Sequence, residues 1–185
     1  MQRMIPKRAP VARPLPDEYA PYYEKYVSLI SGEDILGALE AQRVQTGQLL
    51  AARSEREGNF RYAPGKWSVK EVIGHLSDSE RIFSYRALRI ARGDETPLPG
   101  FEQDDYVVSA GFNTRTLADM AEEFAVVRVA TITLLQSLSE EAWKRRGTAS
   151  DNPVTVRAMA YIIAGHELHH RKILDEKYFP AIPRA

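Results

Sequence analysis

The chain has 185 residues, of which 44% are hydrophobic and 27% are charged, as is typical of one globular domain with a substantial core. It contains 25 basic and 25 acidic side chains, so no net charge favours binding to DNA or to an anionic membrane. It has no cysteine, which excludes disulfides and thiolate chemistry, and no apolar run of membrane-spanning length, so we expect a cytoplasmic protein without nucleic-acid or membrane partners.

The first sixteen residues contain four prolines and four basic residues and no acidic residue. This composition is compatible with a transit-like or nucleic-acid-binding arm, but the apolar core of a secretory signal is missing. We therefore expect residues 1–31 to form an extended arm that lies over the domain. The domain itself is predicted to span residues 32–179, and residues 180–185 are predicted to form a tail.

Apolar residues recur at helical spacing in four segments, and no long segment alternates as a strand would. The predicted helices span about residues 32–56, 68–92, 116–138 and 155–179. Ser68 and Glu71 form a capping-box pattern at the start of the second helix, and Gly93 is placed to stop it. Thr155 is a candidate N-cap of the fourth helix.

Four amphipathic helices of this length predict an all-α four-helix bundle. Residues 93–115 are rich in glycine and proline and long enough to cross the full length of the bundle. Such a long crossover between helices two and three makes those helices parallel, and it makes helices two and four antiparallel. Residues 139–154 could hold a short hairpin or an irregular turn.

Three of the four histidines lie within residues 166–170 on the fourth predicted helix. His166 and His170 are four residues apart, so both face the core, whereas His169 lies about 100° from the centre of that face. Two imidazoles at this spacing can chelate one ion, because metal–nitrogen bonds of about 2.0–2.1 Å need ring nitrogens roughly 3 Å apart. The alternative for such residues is a hydrogen-bonded histidine in the core.

His75, early in the second predicted helix, is the candidate third ligand. At about 1.5 Å of rise per residue, it lies roughly 10 Å from the start of that helix, and the His166/His170 pair lies roughly 13 Å from the end of the fourth. These levels match within roughly 3 Å for antiparallel helices and differ by roughly 9 Å for parallel ones. The histidine levels therefore agree with the long crossover.

Three neutral imidazoles leave coordination positions open for water or substrate, as in catalytic metal sites. The donor set suits zinc, nickel, iron(II) or manganese, and the sequence does not select among them. A bound ion could act as a Lewis acid and lower the pKa of a bound water towards about 7. Asp78 and Glu167 are either supports for such a site or solvated helix acids.

Residues 166–170 also match the zinc-protease pattern H-E-x-x-H, in which Glu167 would be the general base. No histidine follows at the spacing that metzincins need, and only fifteen residues remain for a downstream glutamate ligand. The chain also offers no substrate-binding strand. We therefore disfavour a protease.

Residues 64–76 (PGKWSVKEVIGHL) and 163–170 (IAGHELHH) together resemble the paired histidine segments of the DinB/YfiT-like superfamily of metalloenzymes. Residues 98–106 (LPGFEQDDY) resemble one branch, and the resemblance covers roughly residues 34–178. It implies a four-helix bundle with a divalent ion, commonly nickel or zinc, on three histidines, which by position are His75, His166 and His170. Characterised members of that superfamily include S-transferases that use mycothiol, bacillithiol or glutathione, a maleylpyruvate isomerase, and proteins named as hydrolases.

Fold similarity alone does not settle a reaction. The sequence predicts a metal-dependent hydrolase or thiol-dependent S-transferase that acts on a small molecule, and it assigns no catalytic residue beyond the ligands. One alternative is a non-enzymatic bundle in which the metal staples helices two and four. Another is a metal-free interaction module, in which the histidines would be hydrogen-bonded to each other or to carboxylates. A homodimer is left open.

Three arginines on the second predicted helix, Arg81, Arg86 and Arg89, are candidates for binding an anionic substrate or cofactor thiol. The alternative for all three is a solvated basic face. Trp67 and Trp143 are expected to pack at helix ends rather than to serve as platforms for a substrate.

Overall fold

Four long helices carry the apolar stripes that the sequence predicts, in the computed structural model, which describes residues 11–183. They are α2 (Ile35–Ala51), α4 (Val69–Ala91), α6 (Leu117–Gln136) and α8 (Val156–Ile173). The shorter elements within this range are helices α1 (Glu24–Val27), α3 (Glu55–Gly58), α5 (Gln103–Ala110) and α7 (Glu140–Lys144) and strands β1 (Arg146–Ala149) and β2 (Asn152–Thr155). The all-α four-helix bundle is confirmed. No described helix is long and apolar enough to cross a membrane.

Local capping residues set where the helices begin. The Ser68 hydroxyl accepts a hydrogen bond from the Glu71 amide at 3.1 Å, and the Glu71 carboxylate accepts one from the Ser68 amide at 2.7 Å. The predicted capping box is therefore present. Thr155 caps α8 through its hydroxyl, which accepts from the Ala158 amide at 3.1 Å. Gly93 follows α4 with a φ of 80°, in the left-handed region that glycine favours.

Two predicted helices are shorter than expected. The first begins after Asp34, whose carboxylate accepts from the Gly37 amide at 2.9 Å, and it stops at Ala51 before the separate short helix α3. The fourth is α-helical to Ile173 and then continues as a π-turn at Leu174–Tyr178. Leu174 and Tyr178 are the buried residues of this last turn.

Helices α4 and α8 pack side by side and run in opposite directions. The hydroxyl of Tyr178, just after α8, donates to the carbonyl of Trp67, just before α4, at 2.8 Å. At the other end, the guanidinium of Arg145, before α8, donates to the carbonyl of Ala91 at the end of α4. The antiparallel prediction is confirmed.

The segment between α4 and α6 returns the chain to the start of α4. Ser68, at that start, donates to Oδ1 of Asn113 at 2.6 Å, so α6 begins beside the start of α4 and runs parallel to it. The segment also contains α5, which the sequence did not predict. A Cβ on Gly74 would lie within 2.4 Å of the Phe112 ring, so the glycine before His75 allows this ring to pack on α4.

A β-hairpin connects α7 to α8. Strands β1 and β2 pair antiparallel, and the turn residues Ser150 and Asp151 have φ values of 50° and 61°. Positive φ at both central residues defines the type I′ turn that suits a two-residue hairpin. Of the two predictions for residues 139–154, the hairpin is therefore correct. The Trp143 side chain, in α7, is buried in the core as expected.

The N-terminal arm does not run extended throughout its described part, so this prediction is wrong for residues 16–27. Two 3-10 turns, Pro16–Glu18 and Pro21–Tyr23, lead into α1. The cause is burial: Glu18 is 3% exposed and accepts a hydrogen bond from Thr155 at 2.7 Å, and Tyr26 packs in the core. Residues 1–10, 184 and 185 lie outside the described residues, and the domain boundaries stay a prediction.

Gly165 allows α1 to approach α8, and its replacement should destabilise the protein. A Cβ at this position would lie 2.1 Å from the carbonyl oxygen of Tyr26. Because this oxygen belongs to the backbone, the clash cannot be relieved by rotation of a flexible side chain. We expect Gly165→Ala to lower the free energy of unfolding by about 1–3 kcal/mol, the usual cost of overpacking. Urea unfolding measures the change.

Gly47→Ala is the matched control for this prediction. Gly47 also lies within a long helix, and a Cβ there would meet nothing within 4 Å. Since alanine favours helix by up to about 1 kcal/mol over glycine, this variant should be neutral or more stable. A Gly165→Ala protein as stable as Gly47→Ala would contradict the close approach of α1.

Candidate metal centre

Three histidine side chains meet between α4 and α8. Nε2 of His166 lies 3.1 Å from Nε2 of His75 and 3.1 Å from Nε2 of His170. One nitrogen from each ring lies within 4.8 Å of the other two. The structure thus brings together the three histidines that the sequence singled out, at the nitrogen separations that metal–nitrogen bonds of about 2.0–2.1 Å require.

Separations of 3.1 Å between Nε2 atoms are also those of N–H···N hydrogen bonds, so the second nitrogen of each ring matters. Nδ1 of His75 lies 3.3 Å from the hydroxyl of Ser79, one turn along α4. A proton on Nδ1 that is donated to Ser79 leaves the Nε2 lone pair facing the other two histidines. Metal-binding histidines are commonly oriented by such partners, so Ser79 is placed to orient His75 as a ligand.

Ser79, rather than Asp78, supports His75. The Asp78 carboxylate lies 3.5 Å from the guanidinium of Arg81 and is partly exposed. It does not belong to the group of converging ligand atoms. Of the residues about one turn after His75, the sequence singles out Asp78, whereas the structure places the hydroxyl of Ser79 beside the ring.

Aromatic rings enclose the imidazoles. The ring centroid of Trp67 lies 4.8 Å from that of His75, which agrees with the packing role predicted for this tryptophan. The rings of Tyr26 and Phe83 lie 5.2 Å and 5.8 Å from the His166 ring, both edge-on. Tyr26 belongs to α1, so the part of the chain predicted as an extended arm supplies one wall of the site.

His169 lies apart from the three converging rings. It is half-buried, and its ring packs against Tyr26 with centroids 5.2 Å apart. Its nitrogens are not in the converging group. The position of His169 off the inner face of α8 agrees with the helical-wheel argument.

Burial keeps the three converging imidazoles uncharged. It lowers the pKa of His75 to about 4 and that of His170 to about 3. Burial, and then the neighbouring His170 and His75, hold the pKa of His166 well below its usual range. A neutral imidazole is the form that binds a metal, so the donor set fits a divalent ion without any prior loss of protons.

Metal-free protein should lose stability as the pH falls below about 6.5. The unfolded chain binds protons on these histidines near that pH, whereas the folded form of His75 stays neutral to about pH 4. The unfolded state therefore holds more protons in this window, and each histidine contributes at most about 1.4 kcal/mol of lost stability per pH unit.

Urea unfolding of chelator-treated protein at about pH 7.5 and about pH 5.5 measures this dependence. The His166→Ala variant, which lacks one of the buried imidazoles, should show a shallower change over the same interval. Equal unfolding free energies at the two pH values for the wild-type protein would contradict burial of neutral histidines.

Glu167 points away from the histidines and into the bundle core. One carboxylate oxygen accepts a hydrogen bond from the Thr46 hydroxyl, and the other lies 2.7 Å from Nη1 of Arg128. Because both oxygens are engaged in the core, Glu167 does not act as the general base of an H-E-x-x-H protease. It does not support the metal ligands directly either.

A buried ionic cluster, formed by Glu80, Arg128 and Glu167, lies behind His166. Arg128 binds Glu80 through two hydrogen bonds of 2.7 Å and 2.8 Å, and it is fully buried. Burial opposes the charge of Arg128, but Glu80 and Glu167 together hold its pKa above the usual value. The cluster is therefore a charged structural core next to the candidate metal centre.

A cleft of about 350 Å³ opens onto His75 and His166. One wall is the face of α4 that carries Ser79, Phe83 and Arg86. The other walls come from the tyrosines of the N-terminal segment, from residues 100–103 of the crossover and from the hairpin turn at residue 150. A cleft of this size holds a small molecule.

The three candidate arginines have different environments. Arg81 pairs with Asp78 and with Glu123 on the surface, and Arg89 pairs with Asp94, so the solvated basic face describes these two. Arg86, in contrast, is 3% exposed and lines the cleft. Only Arg86 remains a candidate for contact with a ligand in this cleft.

The bundle with its long crossover and the histidine pair on α8 invite comparison with known families. Residues 38–174 match the family model of the DinB superfamily, which is most of the chain. The chain belongs to the DinB superfamily. A DinB-superfamily resemblance was already indicated by the two histidine segments, and the match extends over all four long helices.

Relatives with known names or structures agree with this assignment. A protein of Oceanobacillus iheyensis named "putative metal-dependent hydrolase" is 26% identical over 145 residues, which cover 75% of this chain and 82% of that protein. YfiT from Bacillus subtilis, described as "a probable metal-dependent hydrolase with an unusual four-helix bundle topology", superposes with a TM-score of 0.70 at 20% identity, over 80% of this chain and 87% of YfiT.

Two further structures share the fold. The mycothiol-dependent maleylpyruvate isomerase superposes with a TM-score of 0.64 at 13% identity, over 78% of this chain and 61% of the isomerase. The DinB-like protein YjoA of Bacillus subtilis superposes with a TM-score of 0.55 at 24% identity, over 76% of this chain and 86% of YjoA. At these identities the likeness concerns the fold, and it places the bundle among known DinB-like structures.

Proposed function

We propose that this member of the DinB superfamily is a metal-dependent enzyme that acts on a small molecule, with His75, His166 and His170 as the ligands of one divalent ion. The cleft carries the proposal, because it opens onto His75 and His166. An ion that only stapled α4 to α8 would need no such access. The relative named as a metal-dependent hydrolase supports the same function.

A divalent ion on three neutral imidazoles supplies Lewis acidity that activates water or a thiol. The residues of the chain would do the rest: the histidines hold the ion, Ser79 orients His75, and Tyr26 packs edge-on against His166. Zinc and nickel suit this nitrogen donor set, and iron(II) and manganese remain options. A thiol nucleophile must come from solution, because the chain has no cysteine.

Two reactions could use the same ligands. The names of the Oceanobacillus protein and of YfiT favour hydrolysis, in which water is the nucleophile. The isomerase that shares this fold is mycothiol-dependent, which supports a low-molecular-weight thiol such as mycothiol, bacillithiol or glutathione as the alternative nucleophile. A cytoplasmic location and a homodimer stay predictions.

The test begins with elemental analysis of the purified protein, followed by chelation and reloading with one metal at a time. Each form is assayed with a panel of esters and amides, and with an aryl chloride together with each of the three thiols. We expect turnover in one panel with at least one metal, lost on chelation and restored on reloading. Arg81→Gln, a surface change, is the control that should retain turnover.

Two outcomes would contradict the proposal. Turnover that persists after chelation has removed all metal would mean that the histidines do not serve catalysis. A tightly held ion without turnover in either panel would favour the alternative of a metal that only staples α4 to α8.

A further inference from the structure

We propose that Arg86 binds an anionic group of the substrate, at the end of the cleft opposite the histidines. The substrate class is then a small molecule that carries a carboxylate or a comparable anion at one end and its reacting bond at the other. This inference rests on the proposed function, because it takes the histidines as the metal-binding end of the same cleft.

The spacing along α4 places Arg86 and the histidines in one cleft. His75 and Arg86 are eleven residues apart, close to three full helical turns, so both lie on the same face of α4. The guanidinium carbon of Arg86 lies 5.9 Å from the Phe83 ring centroid, and that centroid lies 5.8 Å from the His166 ring. The two ends are therefore no more than about 12 Å apart, within reach of one small molecule.

Arg86 is a buried cation without a carboxylate partner among residues 11–183. It is 3% exposed, and Nη2 donates to the carbonyl oxygen of Pro99 at 2.6 Å and to the Ser150 hydroxyl at 3.2 Å. Both acceptors are neutral, and so is the Tyr23 side chain, which also interacts with the guanidinium. Buried charges are normally paired, as Arg128 is with two glutamates in the same bundle. A ligand anion would complete the pairing of Arg86.

The surroundings of Arg86 favour an anion over other ligands. The ring centroids of Phe83 and Phe101 each lie 5.9 Å from its guanidinium carbon, so two aromatic rings flank the charge. The one acidic side chain among the described lining residues, Glu102, is exposed. Because Arg86 is 3% exposed, its attraction to an anion is stronger than that between two charges in water.

The alternative is a structural role, because the two hydrogen bonds of Arg86 tie the crossover to the hairpin turn. The test therefore uses paired probes with zinc-loaded protein. Both probes of a pair carry a hydroxamate, which binds the metal, and a tail of the same length. The tail ends in a carboxylate in one probe and in the methyl ester of that carboxylate in the other. Pairs of three tail lengths are tested. Isothermal titration calorimetry measures the affinity of each probe.

For one chain length, we expect the carboxylate to bind about 10–100-fold more tightly than the ester, the usual range for a charged hydrogen bond. The preference should disappear in Arg86→Gln while the ester affinity stays unchanged. Arg89→Gln is the matched control: Arg89 lies on the same helix but pairs with Asp94, so this variant should retain the preference. If Arg86→Gln does not fold, Arg86→Lys replaces it, and a reduced preference is expected because lysine lacks the planar fork.

Three outcomes would overturn the inference. Equal, measurable binding of carboxylate and ester by the wild-type protein would overturn the role of Arg86 and leave the metal site standing. A wild-type protein that binds neither zinc nor the probes would overturn the proposed function together with this inference. A preference that survives replacement of Arg86, or weaker ester binding with a lower melting temperature in Arg86→Gln, would assign the arginine a structural role.

Discussion

Replacing Arg128 with methionine should lower the free energy of unfolding by about 3–5 kcal/mol, the usual cost of removing one partner from a buried ion pair. The guanidinium is fully buried and lies between Glu80 and Glu167, which are 3% and 1% exposed. Without it, two carboxylates would remain in the core with no cation beside them. Urea unfolding at neutral pH measures the loss.

Arg81→Met is the matched control for Arg128→Met. Arg81 also contacts two acids, Asp78 and Glu123, but its side chain is 48% exposed, so we expect a loss below about 1 kcal/mol. Adding Glu80→Leu to Arg128→Met should restore part of the stability, because one unpaired carboxylate is removed. A loss in Arg128→Met no larger than in Arg81→Met would contradict the buried ionic cluster.

Loading the protein with a divalent ion should raise the free energy of unfolding by about 4 kcal/mol when the free ion is about 1,000-fold above its Kd. The reason is that the three nitrogens converge only in the folded chain, where His75 on α4 meets His166 and His170 on α8. The unfolded chain separates His75 from the pair by about ninety residues. Thermal unfolding with and without zinc or nickel measures the effect.

His166→Ala should abolish this stabilisation, because Nε2 of His166 lies 3.1 Å from the corresponding atom of each of the other two histidines. His169→Ala should retain it, since its ring is not in the converging group. An unfolding temperature of the wild-type protein that does not change with added ion would contradict the metal centre.

The features that the sequence predicted depend on local signals. Caps such as Ser68 and Thr155 act within three residues, and the apolar stripes give the helices with few errors in their ends. The crossover is predicted from the length of residues 93–115, together with the distance of His75 from the start of its helix. These arguments needed no knowledge of which side chains pair across the bundle.

The features that the sequence missed depend on contacts between distant segments. Arg128 pairs with Glu80 and Glu167 on two other helices, and nothing near any of them in sequence indicates the partner. A signal existed on α2, where Gln42 and Thr46 interrupt a stripe of buried residues, because polar residues on an apolar face indicate a buried network. The contact of Tyr26 with His166 also joins distant segments. The apolar residues beside Tyr26 in the sequence indicate that it is buried, but not which side chain it contacts.

The measurement that tests the central claim most directly is metal stoichiometry in four single variants, in which each histidine is replaced with alanine. Each protein is stripped, reloaded with zinc or nickel, dialysed and analysed for bound metal, with far-UV circular dichroism as the control for folding. The account predicts one ion in the wild type and in His169→Ala, and loss of that ion in His75→Ala, His166→Ala and His170→Ala. Loss of metal in a folded His169→Ala protein, together with retention in His170→Ala, would contradict the assignment of the ligands.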